Sequence, residues 1–198
     1  MKLYDLELSG NCYKVRLFLA LIGKEYELEA VDFLGGEHKR VPLTDLNPFA
    51  ELPILEDGSI VLRDSQAILV YLARKYAAEE WLPLDPLSMA RVMEWLMVAE
   101  NEVARGPNDA RLHDKFGYAL DRDAAIAKGE RLLDLVEAHL EGRGWLAGDG
   151  VTIADLAVFP YLALGHEGGV PLGERPNTKA WIGRIKALDG FVPMPELE

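Results

Sequence analysis

The chain has 198 residues, 49% of them hydrophobic, which is enough for a buried core in one large or two small domains. Its formal net charge of -12 argues against broad binding of nucleic-acid phosphates, because such binding depends on many Lys and Arg side chains. An anionic ligand therefore needs a local basic patch, for which the run His38-Lys39-Arg40 is a candidate.

Cysteine content and hydropathy indicate the compartment. The single cysteine, Cys12, excludes an internal disulfide and favours a reducing environment, so we expect a cytoplasmic protein. Residues 1–5 turn acidic without the apolar stretch of a secretory signal. The longest apolar runs are shorter than the roughly 20 residues that span a bilayer, so no membrane segment is expected.

The first 78 residues alternate between strand and helix patterns. Alternating apolar and polar side chains predict strands, apolar spacings of three and four predict helices, and Asp57-Gly58 predicts a hairpin turn. The predicted elements are a strand at 2–8, a helix at 12–22, a strand at 26–33, hairpin strands at 54–56 and 60–62, and a helix at 65–76. This order permits a parallel strand pair with a crossover helix and an added antiparallel hairpin, which is a thioredoxin-like α/β domain.

The second half of the chain shows no convincing strand pattern. Two prolines within residues 77–86 predict a linker. Helical patterns then cover residues 87–104, 121–140, 152–164 and 178–188, so an all-α helical domain is expected at 87–198. The segment Thr152-Ile153-Ala154-Asp155 matches a capping box at a helix start, which is a structural motif.

Three chemically useful side chains lie between the first strand and the first helix: Ser9, Asn11 and Cys12. They face the N–H groups and the positive dipole end of that helix, where an anion is stabilised. Ser9 or Asn11 could equally be an ordinary N-cap, and Cys12 a small buried side chain.

Two further segments predict recognition of an amino-acid head group. A cis bond at Pro53 would leave the backbone N–H and C=O of Leu52 to a ligand, although most X-Pro bonds are trans. At the start of the next helix, the Asp64 carboxylate could hold an ammonium while the Ser65 hydroxyl and amide hold a carboxylate.

The ordered set of these motifs resembles the cytosolic glutathione transferase family, including its bacterial members. The resemblance is carried by Ser9-Gly10-Asn11-Cys12, Asn47-Pro48, Glu51-Leu52-Pro53, Asp64-Ser65-Gln66-Ala67-Ile68 and Thr152-Ile153-Ala154-Asp155-Leu156-Ala157. It covers nearly the whole chain and implies the glutathione transferase fold, with a glutathione-binding domain at 1–78 and a helical domain at 87–198. In this fold Asp64 and Ser65 would bind the γ-glutamyl end of glutathione, and Leu52 would pair with its cysteinyl backbone.

The resemblance also implies where the thiol is activated. The family's catalytic position is Tyr, Ser or Cys in different classes, and alignment on Val15-Arg16 places Ser9 there. Asn11 is the second candidate, because the bacterial transferase-like reductases that the chain also resembles use an Asn at this position. Cys12 is the third.

Two subsites are less well defined by the resemblance. Many family members carry a neutral or basic residue in place of Glu51, so the glycine carboxylate is expected to be held by His38 or Lys39 instead. The electrophilic substrate is expected to contact residues near Gly106-Pro107, which would interrupt or end a helix; a plain interhelical loop is the structural alternative. The candidates for this electrophile pocket are Arg105, Asn108, Arg111 and Leu112.

The implied activity is conjugation of glutathione, as co-substrate, to small electrophiles, which is a detoxification reaction. Glutathione-dependent reduction of disulfides or peroxides, and a non-catalytic interaction module, remain alternatives. The family also implies a homodimer, to which the helix around Trp95, Leu96 and Val98 would contribute apolar surface. The four His residues show no ligand spacing, so no metal is expected.

Overall fold

The computed structural model describes residues 1–197, which form two compact units. The first unit comprises residues 1–78 together with the C-terminal segment 189–196, and the second comprises residues 79–188 with Leu197. The sequence prediction assigned 189–196 to the helical domain. These residues instead pack with the first unit, where the Tyr13 hydroxyl donates a hydrogen bond to the Val192 carbonyl at 2.8 Å.

The first unit is a four-stranded mixed sheet with strand order β2-β1-β3-β4. Strand β1 pairs in parallel with β2 and antiparallel with β3, and β3 pairs antiparallel with β4. The elements are β1 (Lys2–Asp5), α1 (Gly10–Leu21), β2 (Glu27–Ala30), a 3-10 turn (Glu37–Lys39), α2 (Leu43–Leu46), β3 (Ile54–Asp57), β4 (Ile60–Arg63) and α3 (Ser65–Tyr76). This is the thioredoxin-like arrangement expected from the sequence.

The core of the first unit forms where the apolar faces of its helices meet the sheet. Side chains that are at most 1% exposed come from β1, α1, β3 and α3; they include Leu3, Val15, Phe18, Ile54, Leu55, Ile68, Leu69 and Leu72. The apolar spacing of three and four along α1 and α3 explains why each helix buries one continuous face.

Strand register brings four connecting segments to one end of the sheet. Asp5 at the end of β1 pairs with Ala30 at the end of β2, and Tyr4 pairs with Ile54 at the start of β3. Ile54 in turn pairs with Arg63 at the end of β4. Neighbouring strands are about 5 Å apart, so the segments that follow β1, β2 and β4 and the one that precedes β3 are neighbours.

The second unit is helical within the described residues. Its elements are a 3-10 turn (Glu79–Trp81), α4 (Pro86–Val98), a π-helical segment (Ala99–Asn108), α5 (Asp109–Phe116), α6 (Arg122–His139), α7 (Ile153–Ala163), a 3-10 turn (Gly165–Gly168) and α8 (Pro176–Lys186). Helix α7 is the central element, because every residue from Ile153 to Leu162 is buried. None of the helices described in residues 1–197 is long and apolar enough to cross a membrane.

Helical structure continues through Gly106 and Pro107, where the sequence predicted a break or a loop. Pro107 has no N–H for an α-helical hydrogen bond, and the backbone accommodates it within the π-helical segment. A Cβ on Gly106 would lie 3.0 Å from the backbone nitrogen of Gly129 in α6. The two glycines therefore allow the π-helical segment and α6 to approach closely.

Candidate functional site

Ser9 forms the N-terminal boundary of helix α1. It has an extended backbone, with φ -81° and ψ 120°, and its Oγ accepts a hydrogen bond from the backbone N–H of Cys12 at 3.3 Å. Ser9 is thus an N-cap, as the structural alternative predicted. Capping uses a lone pair of Oγ, so the hydroxyl proton is still a donor.

Asn11 lies in the first turn of α1 and is held by a lysine that the sequence analysis did not single out. Lys14 is 1% exposed, and its Nζ donates to Oδ1 of Asn11 at 2.9 Å and to Oε1 of Gln66 at 3.4 Å. The Ser65 hydroxyl donates a short hydrogen bond to the same Oε1 of Gln66. This chain of contacts joins the first turns of α1 to the start of α3.

Cys12 lies in the core of the first unit, with no exposed surface. Burial, followed by the negative charge of Asp5, raises the pKa of its thiol to about 12. Its sulfur accepts a hydrogen bond from the backbone N–H of Leu6 at 3.4 Å. A thiol in these surroundings is protonated at neutral pH and inaccessible, which is the condition of a structural cysteine.

Leu52 and Pro53 immediately precede β3, and the peptide bond between them is cis. The ladder between β1 and β3 ends at the pair Tyr4 and Ile54, so Leu52 lies just beyond it. The preceding turn is anchored by the buried Asn47, whose Nδ2 donates to the carbonyl of Glu51 at 2.8 Å. These contacts fix the backbone of Leu52 at the end of the sheet.

Asp64 and Ser65 begin helix α3. Asp64 is exposed and has φ 73°, a conformation that costs a non-glycine residue about 1 to 3 kcal/mol. Its Oδ1 accepts a hydrogen bond from the backbone N–H of Ala67 at 2.9 Å, so it caps α3. Ser65 is 3% exposed and contributes its backbone N–H to the first turn of the helix.

The segment after β2 carries the predicted basic residues. His38 is 5% exposed and stacks on Phe33, with ring centroids 3.8 Å apart. Burial, and then the nearby charge of Lys39, lowers the pKa of His38, so the ring is neutral at pH 7. Its Nδ1 is buried without a hydrogen-bond partner among residues 1–197. Lys39 and Glu51 are both exposed.

The four residues predicted for the electrophile pocket do not share one environment. Arg105 is exposed and lines a cleft of about 240 Å³ in the second unit, which Asn108, Arg111 and Leu112 do not line. Asn108 and Leu112 are half-buried. Arg111 is 2% exposed, and its guanidinium forms a short ion pair with Glu167, which gives this side chain a structural contact inside the unit.

The comparisons with known proteins match nearly the whole chain to one family. Residues 1–74 match the family model for the glutathione S-transferase N-terminal domain, and residues 112–189 match that for the C-terminal domain. The chain belongs to the glutathione S-transferase family. The fold class and the enzyme class predicted from the sequence are thereby confirmed.

Individual family members are similar over nearly their full length. Glutathione S-transferase 3 of Zea mays is 35% identical over 98% of this chain and 96% of its own. A glutathione S-transferase from Pseudomonas fluorescens Pf-5 has a TM-score of 0.90 at 32% identity and covers 98% of both chains. A glutathione transferase homolog from Drosophila mojavensis, solved with bound glutathione, has a TM-score of 0.86 at 27% identity and covers 95% of this chain and 88% of its own.

Sequence reasoning missed the buried side chains that contact Asn11 and Ser65. Lys14 and Gln66 lie in different helices, 52 positions apart, so no local pattern links them. One signal was present, because Lys14 follows Asn11 by three positions, a spacing that places two side chains on the same helix face. No group of His, Cys, Asp and Glu side chains able to hold a metal ion occurs in residues 1–197.

Proposed function

We propose that the protein conjugates the thiolate of glutathione to small electrophilic substrates. The observation that carries the proposal is the convergence of the segments after β1, β2 and β4, and of Leu52 before β3, at one end of the sheet. Each of these segments presents polar or backbone groups suited to a different part of a tripeptide. The relative from Drosophila mojavensis, solved with glutathione, lends support from within the same family.

In this proposal the first unit binds glutathione through three groups of contacts. The exposed carboxylate of Asp64 pairs with the γ-glutamyl ammonium, and Ser65 donates its backbone N–H and, after rotation away from Gln66, its hydroxyl to the γ-glutamyl carboxylate. The backbone of Leu52 pairs with the cysteinyl residue. The positive φ of Asp64 is consistent with this role, since strained backbone conformations are commonly found at ligand-binding positions.

The glycine carboxylate is assigned to the basic segment after β2. Lys39 is exposed and positively charged, whereas Glu51 carries the same charge as the ligand and is unsuited to hold it. The neutral ring of His38 would contribute an N–H donor rather than a charge.

The thiol is proposed to be activated by the hydroxyl of Ser9 at the start of α1. A helix N-terminus stabilises an anion by roughly 0.3 to 2 kcal/mol, and one hydrogen bond to a charged group adds about 1.5 to 3 kcal/mol. At about 1.4 kcal/mol per pKa unit, the two effects lower a thiol pKa near 8.5 by roughly one to three units. For a shift of about two units or more, most of the bound glutathione is ionised at neutral pH.

A glutathione-dependent reductase is the second candidate, and one observation favours it. Asn11 is oriented by a buried ammonium, so its amide is also placed to donate to a sulfur. The burial of Cys12 removes the thiol that such a reductase would use if it worked through a protein cysteine. The reductase proposal therefore depends on Asn11 alone.

For the electrophile we propose contacts with the helical unit at Arg105, Asn108 and Leu112, and we propose that the protein is a homodimer. Leu96 is 1% exposed and belongs to the core of its own unit, so it is not part of the association surface. The exposed large apolar residues of α4 are instead Leu87, Met93 and Met97, of which Met93 and Met97 lie one turn apart. We also propose a role in detoxification and a cytoplasmic location, of which the single free cysteine supports the location.

A substrate panel tests the proposal. The purified protein is assayed with glutathione and, in parallel, with aryl halides, epoxides, a mixed disulfide and an organic peroxide. Turnover of the electrophiles supports conjugation. Turnover of the disulfide or peroxide alone makes the protein a reductase, and glutathione binding without any turnover makes it a non-catalytic module.

A further inference from the structure

The ammonium of Lys14 is buried in the first unit, where it contacts Asn11, one of the residues of the proposed thiol site. It is 1% exposed and donates to side-chain oxygens of Asn11 and Gln66. A buried cation is costly to desolvate and is retained where specific contacts compensate it. Its contacts with Asn11 and Gln66 lead to two different parts of the proposed glutathione site.

The donor-only chemistry of an ammonium decides how these two amide groups are oriented. Lys Nζ can only donate, so Oδ1 of Asn11 and Oε1 of Gln66 must face it, and both NH2 groups must point elsewhere. The Nδ2 of Asn11 donates to no atom of residues 1–197. A hydrogen-bond donor is therefore left available in the first turn of α1, near Ser9.

The same reasoning extends to α3. Because Oε1 of Gln66 accepts from Lys14, the Ser65 hydroxyl can only donate to it. The charge of Lys14 is thus linked through one hydrogen bond to Asn11 and through two to Ser65.

We propose that Lys14 is a positioning residue for thiol activation. Its ammonium turns the Asn11 amide so that Nδ2 donates to the glutathione thiolate beside the Ser9 hydroxyl, and its buried charge favours the thiolate over the thiol. This inference rests on the proposed binding of glutathione.

Other charged groups of these elements have contacts of their own. On β1 and α1, Asp5 and Arg16 form a short ion pair with each other. At the start of α3, Asp64 is exposed and caps its own helix. Lys14 is the buried cation that contacts both Asn11 and Gln66 in the described chain.

The test measures the pKa of the bound glutathione thiol from thiolate absorbance as a function of pH, together with kcat and KM. The variants are Lys14→Met, Asn11→Ala and the double variant, and Lys24→Met is the matched control. Lys24 belongs to the same unit but lies 4.3 Å over the ring of Tyr76, away from the contacts of Lys14. Lys14→Gln, which keeps a donor without charge, replaces Lys14→Met if that variant does not fold.

We expect Lys14→Met to raise the bound-thiol pKa by about one unit, which lowers the thiolate population about tenfold at pH values below it. The fall in kcat should recover at high pH, with KM changed less than kcat. The double variant should be little worse than the more impaired single variant, because the two residues act as one unit. Lys24→Met should behave as the parent.

Two outcomes overturn the inference while leaving the proposed function intact. One is a parent-like thiol pKa in a folded Lys14→Met that still binds glutathione. The other is full additivity of Lys14→Met and Asn11→Ala. If the parent protein itself binds no glutathione, the proposed function fails, and this inference fails with it.

Discussion

Trp181 donates a hydrogen bond from Nε1 to Oδ1 of Asp155 at 2.9 Å, and both residues are fully buried in the helical unit. The same carboxylate accepts backbone N–H groups from Leu146 at 3.0 Å and from Thr152 at 2.9 Å. Burial raises the pKa of Asp155, and these hydrogen bonds act in the opposite direction. One side chain thus connects α7, α8 and the loop that precedes α7.

We expect Asp155→Ala to lower the free energy of unfolding by about 3 to 5 kcal/mol, because it leaves several buried donors without an acceptor. Asp121→Ala is the matched control, since Asp121 is an exposed N-cap whose side chain accepts the Ala124 N–H at 3.1 Å. Asp121→Ala should lower the free energy of unfolding by about 1 kcal/mol. Urea unfolding measures the stability of both variants. Equal losses of unfolding free energy would show that Asp155 is only a helix cap.

Ser9→Ala should reduce turnover at neutral pH by roughly ten- to a hundredfold while leaving glutathione affinity largely intact, because one hydrogen bond to the thiolate is lost. The defect should shrink as the pH rises. A pH-rate profile measures it, and Ser9→Thr, which keeps a hydroxyl and a cap, is the control. An unchanged Ser9→Ala profile beside a collapsed Asn11→Ala profile would transfer the role to Asn11 and favour the reductase.

Two substitutions at Asp64 separate capping from ligand binding. Asp64→Asn keeps an oxygen for the Ala67 N–H but removes the charge, so glutathione affinity should fall about tenfold with the fold unchanged. Asp64→Ala should bind at least as weakly and also lose the cap. Titration calorimetry measures the affinities. Parent-like binding by Asp64→Ala would show that the γ-glutamyl assignment is wrong.

Cys12 should resist alkylation by iodoacetamide in the native protein at about pH 7.5, because its thiol is buried and its pKa is raised to about 12. Rapid alkylation is expected only after denaturation. Mass spectrometry of native and denatured samples measures the difference. Native alkylation at the rate of the denatured chain would return Cys12 to the catalytic candidates.

The proposed homodimer should be detectable by light scattering at micromolar concentration. Met97→Glu should weaken it, because Met97 is 54% exposed and a buried, unpaired charge in an interface is costly. Ala180→Glu, on the exposed face of α8, introduces the same charge elsewhere and should leave the dimer unchanged. A monomeric parent protein would exclude the proposal.

Local sequence patterns predicted much of the fold and part of the candidate site. The periodicities of α1 and α3, and the Asp57-Gly58 turn, depend on residues close together in the chain, and the structure contains these elements at nearly the predicted bounds. The motifs that resembled glutathione transferases correctly indicated the family. Such features are readable because helix and turn chemistry acts over a few residues.

Only the tertiary structure decided which polar groups are buried and what they contact. From the sequence alone, Lys14 would be taken for a surface lysine. In the structure, the packing of α1 against α3 buries it and brings it to Gln66. The sequence of Gly106-Pro107 suggests a break, but the backbone continues there as a π-helical segment, and Gly106 packs closely against Gly129. Burial and long-range partners depend on how the elements pack, and the sequence does not record that packing locally.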